Sequence, residues 1–266
     1  FVPTMGSATR ATKRQKQQHL QEKIPASCDP AEEDTPSVFS SDEEIPTICI
    51  PIEEEVQAAV NNVNGEKPSR PDDVLAELRA GNKRFVAGKS AIKPLSPSDK
   101  KALTAGQTPT VAVLSCADSR VPVELVFDMG PGEIFVARNA GNVYCPATAA
   151  TLDYGVKNLG LKLIVVMGHQ CCGAVNAAQL SAEQIAGLTP PLVDLLNGIK
   201  RGLSSNSVIA DITDSKEKDQ EAVITNVKAQ VASMLDNPVI KEATAEGMVK
   251  VVGAFYEIET GVVHFL

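Results

Sequence analysis

Two groups of metal-binding side chains stand in separate parts of the chain, each directly after an apolar run. Cys116 follows the run at 110–114, and the motif His169-x-x-Cys172 follows the run at 161–167. In an open parallel sheet, ligands bind at the carboxyl ends of strands. Two sulfurs and one imidazole meeting there would hold zinc, and three protein ligands would leave a fourth position for water, as in catalytic zinc sites.

The cysteines allow other interpretations. Buried cysteine also behaves as a small hydrophobic residue, so Cys116 and Cys172 would then only fill the core. A disulfide framework is disfavoured, because a chain of this length can bury a core of its own and the cysteine spacing is irregular. A reducing compartment with some thiols reserved for metal fits better. The six cysteines are Cys28, Cys49, Cys116, Cys145, Cys171 and Cys172.

Further functional candidates flank these ligands. Asp118 and Arg120 stand at alternate positions just past Cys116. The rigid donors of an arginine suit a carboxylate, although such a pair can equally be a surface ion pair that contributes roughly 0–1 kcal/mol. Gly141 and Gly173 would let the backbone approach a substrate, or would be ordinary turn glycines. Arg138 would help to order a pocket wall or a dimer.

Strand and helix patterns alternate from about residue 110 onward, which predicts an α/β fold with a mainly parallel β-sheet flanked by helices. A proline and two acids predict the start of an earlier helix at 71–73, and this helix extends to Gly88. Strands are predicted near 110–115, 133–138, 161–167 and 248–257, with a final edge strand at 262–266. Helices are predicted near 121–128, 146–159, 172–180, 190–201 and 217–236.

The composition divides the chain into an extended N-terminal arm, residues 1–72, and a folded domain, residues 73–266. Residues 28–55 carry only acidic charges and recurrent proline and serine, so this arm buries too little to fold alone. It is either a solvated tail or an arm that docks on the domain or on a partner subunit. The net charge of −8 and the pI near 5.0 argue against nucleic-acid binding. No apolar stretch approaches the roughly 20 residues of a membrane span.

The motifs together resemble the β-class carbonic anhydrases. Cys-x-Asp-x-Arg at 116–120 and His-x-x-Cys-Gly at 169–173 are typical of that family, as are the stretch 132–142 and the helix segment 81–85. The resemblance spans residues 73–266. It implies reversible hydration of carbon dioxide to bicarbonate by a zinc-bound hydroxide, and a homodimer or a higher homo-oligomer.

The resemblance also assigns roles to the candidate residues. It implies that Cys116, His169 and Cys172 hold Zn²⁺, and that Arg120 holds Asp118 ionised and directed at the zinc-bound water. In some members of the family the aspartate instead ligates zinc, and the sequence leaves both arrangements open. Gly141 and Gly173 are expected to line the substrate site.

Two alternative functions remain open at this level. Relatives of this fold hydrolyse carbonyl sulfide or carbon disulfide with the same ligands, and the acidic arm would suit a scaffold that recruits a partner. The start Phe1-Val2-Pro3 resembles mature plastid proteins of algae with secondary plastids, which predicts a plastid location. The cytoplasm or another reducing compartment is the alternative.

Overall fold

A computed structural model describes residues 68–92 and 94–266 of the chain. Its strands form a single sheet in the order β2-β1-β3-β4-β5. The strands are β1 (Val111–Cys116), β2 (Ile134–Asn139), β3 (Leu163–His169), β4 (Lys250–Tyr256) and β5 (Val263–Phe265). The helices are α1 (Pro71–Val86), α2 (Pro97–Leu103), α3 (Val123–Val126), α4 (Pro146–Asn158), α5 (Gly173–Ala178), α6 (Ala182–Ala186), α7 (Pro190–Leu203), α8 (Val208–Asp211), α9 (Ser215–Leu235) and α10 (Pro238–Ala245). A single 3₁₀ turn, Ala140–Asn142, follows β2.

The centre of the sheet is parallel and buried. Strands β2, β1, β3 and β4 pair in parallel, and only β5 is antiparallel, at the edge beside β4. Every residue of β1 and β3 is buried, which explains why both read as continuous apolar runs and not as an alternating pattern. The predicted α/β fold with a mainly parallel sheet is confirmed.

Helices cover both faces of this sheet. On one face, α1 and α3 pack against the odd-numbered side chains of β1 and β3, such as Val113 and Val165. On the other face, α4, α9 and α10 pack against the even-numbered ones, such as Leu114 and Val166. A third apolar cluster, contributed by α5, α7 and α9, surrounds Cys116 and Cys172. The two cysteines therefore lie where the sheet ends and this last cluster begins.

The segment 81–85 has a structural explanation. Asn82 is 6% exposed, and its side-chain amide donates to the carbonyls of Val126 (3.1 Å) and Gly261 (2.9 Å). Its Oδ1 accepts from the backbone N–H of Val263 at 2.9 Å. Three hydrogen bonds from one buried amide satisfy most of its polar capacity. They fix α1 against α3 and β5, so the segment 81–85 stabilises the fold and does not take part in the metal site.

The predicted elements agree with the structure to within a few residues, apart from four short helices that were not predicted, α2, α6, α8 and α10. The N-terminal arm lies, up to residue 67, outside the described residues, and so do the start at Phe1 and the cysteines Cys28 and Cys49. The boundary at residue 72 and the plastid location stay predictions. Within the described ranges, no helix combines the length and the apolar character that a membrane crossing needs.

Candidate metal centre

Three potential metal ligands converge at the carboxyl end of the sheet. Cys116 is the last residue of β1, and His169 is the last residue of the neighbouring β3. Cys172 precedes the first residue of α5, so the turn after β3 carries it back toward the strand end. One ligand atom from each of the three side chains lies within 4.8 Å of the others. All three residues are buried, with Cys116 5% exposed and the other two 0%.

The imidazole of His169 is oriented for coordination. Its Nδ1 lies 2.9 Å from the carbonyl oxygen of Gln170, so Nδ1 carries the hydrogen that is donated to that carbonyl. The lone pair is then on Nε2, which is buried and has no hydrogen-bond partner among the described residues. An orphaned buried nitrogen is costly unless something binds it. A histidine that donates one ring N–H to a carbonyl and turns the other nitrogen to an ion is the usual arrangement in metal sites.

The two thiols form a pair that favours a cation. A hydrogen bond from Cys172 lowers the pKa of the Cys116 thiol, with support from the backbone amides of Gly141 and Asp118. The pKa of Cys172 is raised, because it shares a proton with Cys116 and because burial opposes a second negative charge. A divalent cation would compensate that charge, and thiolate sulfurs with an imidazole nitrogen are the ligands that zinc prefers. The residues present therefore fit a zinc ion.

A carboxylate and a guanidinium stand beside this cluster. Arg120 Nε donates to Asp118 Oδ1 at 3.0 Å, and Nη2 donates to Oδ2 at 2.8 Å. The Arg120 backbone N–H adds a third bond to Oδ1 at 2.9 Å. The side-chain hydrogen bonds from Arg120 hold the pKa of Asp118 well below its usual range. Asp118 Oδ2 lies 3.9 Å from His169 Nε2, so an ionised carboxylate faces the nitrogen that is free to bind a metal.

Of the two arrangements that the sequence left open for Asp118, the structure has the one in which it pairs with Arg120. The Asp118 side chain is 19% exposed and the Arg120 side chain is 52% exposed. Asp118 therefore lies between the buried ligands and the solvent. A small molecule that approaches from this side meets the carboxylate before it meets the cluster.

Gly141 and Gly173 both lie next to the ligands. The backbone N–H of Gly141 donates to Cys116 Sγ at 3.4 Å, and its φ of +73° is a conformation that side chains disfavour. A Cβ at Gly141 would lie 2.7 Å from Ile199 Cδ1. Gly173 begins α5 directly after Cys172, and nothing lies within 4 Å of where its Cβ would be. Their proximity to substrate stays a prediction.

Other residues hold the ligand loops in place. Arg138, on β2, donates from Nε to the Cys116 carbonyl (2.9 Å) and from Nη2 to the Asp118 carbonyl (2.7 Å). Its predicted role was the ordering of a pocket wall or of a dimer, and within the chain it fixes the loop that carries the ligand and the carboxylate. The separate turn at Cys171 is held by Asp219, which accepts from the Cys171 N–H at 2.8 Å.

Asp219 was not among the sequence candidates. It lies on α9, 48 residues beyond Cys171, and no motif or spacing connects the two positions. Cys171 has a φ of +56°, and Arg120 Nη2 reaches its carbonyl at 3.4 Å. The turn between His169 and Cys172 is therefore fixed from both sides by charged side chains that belong to distant segments.

Comparison with known proteins places this site in a family. A carbonic anhydrase family model matches residues 111–263, more than half of the chain. Carbonic anhydrase 2 of Mycobacterium tuberculosis is 37% identical over 186 residues, covering 69% of this chain and 87% of the relative. A carbonic anhydrase of Mycolicibacterium smegmatis is 36% identical over 207 residues, covering 73% and 92%.

Solved structures agree with the sequence comparisons. A tetrameric β-carbonic anhydrase from Sordaria macrospora superposes with a TM-score of 0.60 at 29% identity, over 73% of this chain and 97% of the other. The Coccomyxa β-carbonic anhydrase solved with acetazolamide gives a TM-score of 0.58 at 28% identity, over 72% and 86%. With the family model, the relatives and the fold in agreement, the chain belongs to the β-carbonic anhydrase family.

Proposed function

We propose that this protein catalyses the reversible hydration of carbon dioxide to bicarbonate, with a zinc ion held by Cys116, His169 and Cys172. The observation that carries the proposal is the position of Asp118. Its carboxylate is paired with Arg120 and stands 3.9 Å from the free Nε2 of His169. A purely structural metal site does not require an ionised, partly exposed carboxylate such as Asp118 beside its ligands.

Zinc, when bound, supplies a Lewis acid that lowers the pKa of water from about 16 to about 7, which makes a nucleophile available near neutral pH. Asp118 Oδ2 would accept a hydrogen bond from the attacking water and so orient the lone pair of that water toward the carbon of carbon dioxide. Arg120 keeps that carboxylate ionised and fixes its plane through two parallel hydrogen bonds. Because both oxygens of Asp118 are bound to one rigid guanidinium, little reorientation of the carboxylate is needed when the water attacks.

We also propose that the protein works as a homo-oligomer whose smallest unit is a dimer. The relative from Sordaria macrospora is described as tetrameric. In this chain, β2 is the edge strand of the sheet, and large apolar side chains are half exposed on the outer surface, among them Leu125 and Tyr154, each at 52%. Sedimentation of the full chain at micromolar concentration tests this directly, and a monomer would contradict it.

The experiment for the main proposal compares two neighbouring cysteines. Zinc content and stopped-flow hydration of carbon dioxide are measured for the full chain, for Cys172→Ser and for Cys171→Ser. Cys172→Ser should lose zinc and activity, whereas Cys171→Ser removes an exposed thiol and should retain both. Stoichiometric zinc without hydration in the parent protein would overturn the proposed activity. The same proteins are also assayed with carbonyl sulfide in place of carbon dioxide. Hydrolysis of carbonyl sulfide without hydration of carbon dioxide would favour the alternative function, a hydrolase.

A further inference from the structure

One buried amide on α9, that of Asn226, is hydrogen-bonded to the turn whose backbone reaches a metal ligand. Asn226 is 0% exposed, and an amide in such a position is costly unless it is hydrogen-bonded. Its Nδ2 donates to the carbonyl of Gly141 at 3.0 Å, and its Oδ1 accepts from Gln230 Nε2 at 3.0 Å. Its neighbours on the helix, Val223 and Val227, are apolar and fully buried. The polar side chain at this position therefore has a specific partner, the Gly141 turn.

That turn has an unfavourable backbone. Gly141 and Asn142 have φ values of +73° and +46°. A left-handed conformation at a residue with a side chain is uncommon and persists where the surroundings fix it. The Asn142 side chain is 0% exposed, and neither of its amide atoms has a hydrogen-bond partner among the described residues. The Asn142 side chain thus does not hold the turn, whereas the Asn139 side chain closes its far end by binding the N–H of Val143 at 2.7 Å and its carbonyl at 2.8 Å.

Helix α9 fixes the turn at two backbone atoms. Asn226 binds the Gly141 carbonyl, and Gln230, four residues later on the same face of the helix, accepts from the N–H of Tyr144 at 2.8 Å. The bond between Asn226 and Gln230 links the two contacts into one network. A long helix packed on the sheet is a rigid support, so residues 141–144 are held in one position relative to the sheet.

The same turn presents a hydrogen-bond donor to a ligand. The N–H of Gly141 points at Cys116 Sγ, 3.4 Å away. A hydrogen bond to a thiolate ligand withdraws electron density from the sulfur and changes the properties of the metal that it binds. With two thiolates, the formal charges of the ligands cancel that of the zinc ion, so each donor to sulfur leaves more positive charge at the metal.

We propose that Asn226 is a positioning residue for the metal centre: it holds the 141–144 turn so that the Gly141 N–H stays directed at Cys116 Sγ. This inference rests on the proposed zinc site. Without the anchor, the Gly141 carbonyl loses its partner. Gly141 then shifts although Asn139 and Gln230 still hold Val143 and Tyr144, and the sulfur loses its donor. The zinc ion is then bound more weakly, and the hydration rate requires a higher pH to reach its maximum.

The test compares two buried polar residues that are adjacent on α9. Asn226→Leu removes the anchor and keeps the number and branching of the side-chain heavy atoms. Thr225→Val is the matched control, because Thr225 is 5% exposed and bonds to Asn206 at 2.9 Å, away from the turn. Zinc affinity is measured by chelator competition. The sulfur-to-cobalt charge-transfer band is recorded after reloading with Co²⁺, and the pH midpoint of carbon dioxide hydration is determined for each protein.

Asn226→Leu should bind zinc about 10–100-fold more weakly, the range typical for partners of metal ligands. It should also shift the cobalt band and raise the pH midpoint, while Thr225→Val leaves all three unchanged. If Asn226→Leu retains the parent affinity, band and midpoint, the proposal is wrong. If Asn226→Leu fails to fold, the isosteric Asn226→Asp, which can still accept from Gln230 but places a negative charge against the Gly141 carbonyl, is judged by the same measurements. Failure of both variants to fold would assign Asn226 to folding alone and overturn the proposal.

The affinity and the cobalt band do not depend on turnover. If the parent protein binds zinc but does not hydrate carbon dioxide, the proposed function fails while these two measurements still decide the role of Asn226. If the parent protein does not bind zinc at all, both proposals fail together through the metal analysis of the parent. The two failures are therefore distinguishable.

Discussion

A single methyl group at Gly141 tests how tightly the metal centre is built. In Gly141→Ala, the new Cβ would lie 2.7 Å from Ile199 Cδ1 and 3.2 Å from Ala174 Cβ. Overpacking of this kind costs about 1–3 kcal/mol, and a left-handed backbone at a residue with a Cβ costs roughly 1–2 kcal/mol. We expect the free energy of unfolding to fall by about 2–5 kcal/mol, measured by urea denaturation with zinc at saturation.

A second substitution separates the two costs. Ile199→Val deletes the Cδ1 atom that the new methyl group meets, and on its own should cost about 0.5–1.5 kcal/mol because Ile199 is fully buried. In the double variant the clash with Ile199 is relieved, but the contact with Ala174 and the backbone strain remain. The double variant should therefore be less destabilised than the sum of the single variants, by roughly 1–3 kcal/mol.

Two outcomes would refute this reasoning. If Gly141→Ala unfolds with the parent free energy, the turn is loose enough to move aside, and glycine is not required there. If the two changes are simply additive, the methyl group does not meet Ile199, and the loss comes from the backbone alone. Zinc affinity, measured by chelator competition for the same variants, shows whether a change at Gly141, whose N–H lies 3.4 Å from Cys116 Sγ, also weakens the metal site.

Further expectations concern the carboxylate, the pH dependence and the turn at Cys171. Asp118→Asn should lower the rate of carbon dioxide hydration about 10²–10⁴-fold and leave the zinc content intact; an unchanged rate would exclude Asp118 as the hydrogen-bond acceptor that orients the water. The hydration rate should rise with pH above neutrality, since two thiolates reduce the acidifying effect of zinc, while Arg120 holds the pKa of Asp118 too low for this carboxylate to cause the rise. A rate that is flat from about pH 6.5 to about pH 9 would contradict this. Asp219→Ala should weaken zinc binding about tenfold in chelator competition, because the Cys171 N–H loses its acceptor, whereas Asp219→Asn retains an acceptor oxygen and should match the parent; equal affinities for all three proteins would exclude this role.

Sequence patterns predicted the elements that form the buried sheet, because burial leaves a regular signature. Strands β1 and β3 are continuous apolar runs that end at polar residues, and these ends carry Cys116 and His169. The short helices were missed although some carried a signal. Ser96 caps α2 through a reciprocal bond with Asp99, and Asn237 followed by proline begins α10. Both lie outside the apolar periodicity on which the prediction relied.

The residues that hold the ligand loops could not be predicted from the sequence, for a different reason. Asp219 and Asn226 bind backbone atoms, and a backbone partner leaves no trace in the sequence that would connect it with the side chain. Arg138 was a candidate, but its partners, the Cys116 and Asp118 carbonyls, were not predicted. Their roles follow only from three-dimensional packing. A lone aspartate or asparagine on a long helix is indistinguishable, by sequence, from a solvated surface residue.

The alignment of the strands explains why the ligands themselves were predictable. In the β1–β3 ladder Ser115 pairs with Met167, so the next residue of each strand places Cys116 beside Gly168, one position before His169. A shift of one residue would turn every side chain of β1 to the opposite face of the sheet. Such a shift would move Cys116 away from α9 and would place Ser115 in the apolar cluster that now surrounds Cys116. The apolar pattern that fixes the register of the core therefore also brings the ends of β1 and β3, and with them Cys116 and His169, to the same edge of the sheet, so the chemistry of the site depends on the packing of the sheet.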